Sequence, residues 1–121
     1  MGIIFDTSAI IGIERGHESL DALIVGRAEE PFGISVITAA ELLHGVERAD
    51  TEERKLRRQA FVEKVIESFP VFPFDLMVGR IYARIWAAIA RKGWTVGAHD
   101  LIIAATAISL DCTSPRPTSG I

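Results

Sequence analysis

A chain of 121 residues with 49% apolar and 24% charged residues has the composition of one soluble domain with a single core, and is too short for two. Its formal net charge of −3 excludes a protein that wraps nucleic acid by bulk positive charge, while leaving room for a local basic patch. The only cysteine, Cys112, excludes an intrachain disulfide and a cysteine-based zinc cluster.

The chain opens with the apolar run Ile3-Ile4-Phe5, which reads as a short strand buried on both faces. Asp6 interrupts that run and no basic residue precedes it, so the start is a poor signal peptide, and Asp6 stands where myristoylation wants Ser or Thr. No apolar stretch approaches the roughly 20 residues that span a bilayer; a soluble, cytoplasmic protein is expected. Asp6-Thr7-Ser8 are N-cap residues and Ala9-Ile10-Ile11 follow, giving strand, turn, helix. Glu30-Pro31 marks a break, and residues 32–36 read as a second strand. Thr38 to Glu41 has capping-box spacing for the next helix, as has Asp50 to Glu53 for the one after. That third helix places Val62, Val65, Ile66 and Phe69 on one face, with Arg54 and Arg58 on the polar side. Pro70 stops it, and Val71-Phe72 is a weak third strand whose neighbour Pro73 suits an edge. From Asp75 to Lys92 the pattern is helical, with Ile81, Ile85 and Ile89 opposite Arg80, Arg84 and Arg91, and Gly93 ends it. His99 to Leu110 is apolar almost all round and is expected to be a buried helix.

Strands alternating with helices imply right-handed crossovers and an α/β, three-layer fold with a mainly parallel central sheet. Ligands on such sheets bind at the carboxyl ends of the strands. Asp6 follows the first strand and Glu41 the second, so both are expected at one edge. Two carboxylates there raise one another's pKa, and a hard divalent cation such as Mg²⁺ removes that cost. Plainer readings stand beside this one: Asp6 as a helix cap, Glu41 as the partner of Thr38 in a capping box, and Asp100 as an acid at a helix N-terminus.

Three segments together resemble a known family. They are the strand ending Asp6-Thr7-Ser8-Ala9, the stretch from Ile34 to Leu42, and the stretch from Gly97 to Ala107 that contains His99-Asp100-Leu101-Ile102-Ile103-Ala104-Ala105-Thr106. In that order and spacing they closely resemble the PIN domain, and within it the VapC-type toxins of bacterial toxin–antitoxin pairs, over about Ile3 to Leu110. The resemblance implies an endoribonuclease dependent on Mg²⁺ or Mn²⁺, with Asp6, Glu41 and Asp100 as catalytic acids. Asp6 and Asp100 would be the direct metal ligands, Glu41 would act through water or orient the nucleophile, and Ser8 matches a hydroxyl beside the metal. It further implies a VapB-like antitoxin, an RNA substrate and a homodimer. The alternative is a catalytically inactive PIN fold that serves as an antitoxin-binding or dimerisation module.

The family continues after its last buried helix with further strands and a fourth acid. Here residues 114–121 carry Pro115 and Pro117, and no Asp or Glu follows Asp111. Residues 1–113 are therefore expected to form the domain and 114–121 an irregular tail, as if truncated or shifted in frame. Only Cys112-Thr113 remain to begin the next strand, so the last strands are expected to be missing or stunted. Asp111 is a poor replacement acid, about 16 Å along the helix from Asp100 by rise per residue.

Arg54, Arg58, Arg80 and Arg84 are candidate RNA contacts, against the plainer reading of solvated helix faces. Glu41 and His44 form a single Glu-x-x-His pair, where a di-iron bundle needs two. His17 and His99 have no partner at metal-ligand spacing and read as ordinary polar residues. A receiver-like phosphoacceptor would need Asp75 beside Asp6 and a late lysine, but the last lysine is Lys92.

Overall fold

A computed structural model describes residues 3–16 and 32–113. Among the described residues the sheet has three strands, β1 (Ile3–Ile4), β2 (Phe32–Ser35) and β3 (Val71–Phe72), in the order β1-β2-β3. Both pairings are parallel, with Ile3 opposite Phe32 and Ile34 opposite Val71. Phe5 N–H donates to Gly33 O at 3.0 Å, and Ile34 N–H to Pro70 O at 2.9 Å. Among the described residues β3 lies at an edge, as Pro73 suggests. Among the described residues β1 pairs with β2 alone.

Five helices are described: α1 (Thr7–Glu14), α2 (Val36–Glu47), α3 (Glu52–Ser68), α4 (Leu76–Arg91) and α5 (Ala98–Thr113). Asp6 caps α1 and Asp75 caps α4, each carboxylate accepting from the backbone N–H three residues on. Two helix starts differ from the capping-box expectation. α2 begins two residues before Thr38, because Ser35 turns its hydroxyl onto Ile37 N–H at 3.1 Å and the chain passes from strand to helix with no loop. α3 is capped by Thr51, whose hydroxyl accepts from Arg54 N–H at 3.1 Å, while Asp50 instead pairs with the Arg54 side chain. Cys112 and Thr113, the two residues left to begin a further strand, belong instead to the end of α5, which runs through Thr113; the tail expected at 114–121 lies outside the described residues.

The main core gathers Phe5, Ile10, Ile13, Ile34, Ala39, Leu42, Val46, Val62, Val65 and Phe69. Phe69 meets Phe5 and Phe32 edge-to-face, at centroid separations of 5.4 Å and 5.8 Å. β2 approaches β3 so closely that a Cβ on Gly33 would run into the Pro70 carbonyl and lie 2.5 Å from Phe72 Cε2. A smaller cluster of Val78, Ile81 and Ala105 joins α4 to α5. α5 is buried along one face, not all round: Leu101, Ala105 and Leu110 are covered while Ile108 is 42% exposed. Its buried hydroxyls are satisfied within the helix, Thr106 Oγ1 donating to Ile102 O at 2.7 Å and Ser109 Oγ to Thr106 O at 2.6 Å. Among the described residues no helix is long and apolar enough to cross a membrane.

Candidate active site

The end of β1 delivers Asp6 to the N-terminus of α1, where its Oδ1 accepts from Ala9 N–H at 2.9 Å. Capping and a role in the site are compatible, because one carboxylate oxygen suffices for the cap. The next residue, Thr7, donates its hydroxyl to Glu41 Oε1. Glu41 sits in the second turn of α2, six residues beyond the end of β2, and is half-buried. Its other oxygen, Oε2, lies 2.6 Å from His99 Nδ1, in the first turn of α5. Thr7, Glu41 and His99 thus join the N-terminal turns of α1 and α5 to α2. Asp6 precedes Thr7 in the chain and Asp100 follows His99.

The capping-box role expected for Glu41 does not occur, since both of its oxygens engage distant residues and Ser35 caps α2. Thr38 is fully buried, and among the described residues its Oγ1 has no hydrogen-bond partner. Asp100 is exposed in the first turn of α5, with Oδ2 3.8 Å from where a Cβ on Gly97 would lie. Ser8 is exposed, and the hydroxyl that reaches Glu41 is that of Thr7. His99, which has no partner at metal-ligand spacing along the sequence, is bonded in the fold to Glu41. The sequence signal was its position beside Asp100, as Thr7 stands beside Asp6, but 58 residues separate His99 from Glu41 and no local spacing links them. His44 is exposed and His17 lies outside the described residues. Asp75 caps α4 through Val78 N–H.

Burial pushes the Glu41 carboxyl upward. The hydrogen bonds from Thr7 and His99 and the His99 charge outweigh it, so the group is held below the usual carboxylate value. Glu41 is therefore an anion fixed at both oxygens. Among the described residues no three of His, Cys, Asp and Glu close around one point. Mg²⁺ does not require such a cage, since it keeps several waters and commonly takes one or two protein carboxylates together with substrate phosphate. The hard oxygen donors of Asp6, Glu41 and Asp100 fit that chemistry.

Of the candidate arginines, Arg54 holds Asp50 through two contacts at 2.9 Å and 3.0 Å, and Arg58 reaches Glu14 at 3.4 Å. Both line a groove of about 640 Å³ together with Arg48 and Arg57. A smaller cleft of about 120 Å³ shares Glu14 and Arg58 with that groove and is also lined by Thr7 and Glu41. Arg80 and Arg84 border a separate apolar hollow with Ile81, Ile85 and Ile108.

Residues 3–114 match the model of the PIN domain family. Ribonuclease VapC1 of Rickettsia felis is 41% identical over 110 residues, which cover 90% of this chain and 79% of that protein. The crystal structure of VapBC-5, a member of the VapBC family of toxin–antitoxin systems from Mycobacterium tuberculosis, aligns with a TM-score of 0.66 at 34% identity, covering 89% of this chain and 77% of the other. VapBC2 from Rickettsia felis, crystallised with a promoter DNA fragment, gives a TM-score of 0.78 at 22% identity over 92% of this chain and 83% of its own, a likeness of fold.

Proposed function

The chain belongs to the PIN domain family, among proteins of the VapC type, and on that footing we propose that it is the toxin of a toxin–antitoxin pair, an endoribonuclease acting in the cytoplasm. The observation that supports this most is the Thr7–Glu41–His99 network, which ties together the turns that bear Asp6 and Asp100. Asp6 and Asp100 would hold Mg²⁺ or Mn²⁺, with Glu41 contributing through water. When bound, such an ion supplies Lewis-acid polarisation of the phosphodiester and lowers the pKa of attacking water. Glu41, kept ionised and unable to swing, orients that water and accepts its hydrogen bond. The groove lined by Arg48, Arg54, Arg57 and Arg58 takes RNA phosphates leading to the cleft at Glu41. A VapB-like antitoxin is the partner, and the toxin works as a homodimer.

Structured RNA incubated with the purified chain and Mg²⁺ or Mn²⁺ should be cut, with cutting stopped by chelation and restored by added metal. Added antitoxin should suppress it. Tight antitoxin binding with no metal-dependent cleavage would overturn the enzymatic reading in favour of an inactive binding fold.

A further inference from the structure

His99 is tied to no core. It is 52% exposed at its side chain, yet its Nδ1 stands 2.6 Å from Glu41 Oε2 across 58 residues of sequence. Thr7 takes the other oxygen, so two donors from two helices fix a side chain that would otherwise lose rotamer freedom in holding water on a cation. The same contact holds the first turn of α5, and with it Asp100, against α2. A carboxylate oxygen has two lone pairs and can accept an imidazole N–H while facing a cation. Removing the imidazole frees Glu41 to rotate and unties the turn that carries Asp100.

We propose that His99 is a positioning residue of the metal site: through its Nδ1–H it sets the Glu41 carboxylate and the Asp100 turn in register. This rests on the metal-dependent reading above. Partners that orient metal-binding groups typically change affinity by about 10–100-fold when removed, and that is the size of effect expected here. Because His99 is half out in solvent, its replacement leaves the core intact.

The test is Mn²⁺ binding to the RNA-free full chain, followed by electron paramagnetic resonance of the free ion, with circular dichroism as a check on folding. His99→Ala should weaken Mn²⁺ binding about 10–100-fold with secondary structure unchanged. His99→Asn, whose amide can donate from near the Nδ1 position, should recover most of the affinity. Equal or tighter binding by His99→Ala, or an Asn variant no better than Ala, overturns the positioning role provided Asp6→Asn and Asp100→Asn weaken binding. Absence of Mn²⁺ binding by the parent chain, or binding indifferent to both aspartate changes, overturns the metal reading and the inference with it.

Discussion

Glu41 carries the most information per residue in this chain. Its place on the strand-end edge follows from the pattern, since it comes shortly after the second strand. What holds it does not, because Thr7 and His99 lie 34 residues before it and 58 after it. Contacts of such range are set by packing and have no periodic trace. The lowered pKa of Glu41 has a direct consequence for stability. Its contribution is fully present above the ordinary carboxylate value of 4.5 and is lost as pH falls through the lower folded-state value. Glu41→Gln should therefore lessen the loss of stability in acid, measured by chemical denaturation of the metal-free protein at a series of pH values. An unchanged acid limb would contradict the assigned cause.

At the scale of elements, the order of strands and helices was legible because alternating apolar runs and N-cap residues mark each boundary. The helix starts were less so. Thr38-x-x-Glu41 has the spacing of a capping box, but Ser35, ending a buried strand, caps first and draws Thr38 into the helix interior. The apolar circumference of α5 also misled, since burial on one face leaves Ile108 exposed. The close approach of β2 and β3 at Gly33 yields an element-scale prediction. Gly33→Ala forces the Pro70 carbonyl and Phe72 aside and should cost about 1–3 kcal/mol, the usual range for overpacking. Ile34→Ala, at a fully buried position in the same strand, should cost about 2–5 kcal/mol through the cavity it leaves. Equilibrium urea unfolding of both variants checks the pair.

For the whole molecule, a net charge of −3 argues against non-specific nucleic-acid binding, yet four arginines share one groove. Arg54 and Arg57 are paired with exposed acids, contacts weak enough for phosphate to displace, and Arg58 is paired with the mostly buried Glu14. Arg48 makes no ion pair among the described residues and is the better probe. Arg48→Ala should weaken binding of single-stranded RNA and reduce the magnitude of the slope of log affinity against log salt by about 0.7, measured by filter binding in calcium. A slope identical to that of the parent would remove the groove from the RNA path. The global fold was readable from three sequence segments in register, whereas the groove joins residues from α1, from the turn after α2 and from α3 and is visible only once they pack.

Cleavage of one structured RNA under Mn²⁺, compared for the parent chain, Asp6→Asn, Glu41→Gln and Asp100→Asn at equal folded concentration, tests the central claim most directly. The three acids acting as one site predict that each substitution lowers the cleavage rate by at least about 10²-fold, the scale of a lost general acid–base or electrostatic group. Parent-like cleavage by all three variants would contradict it.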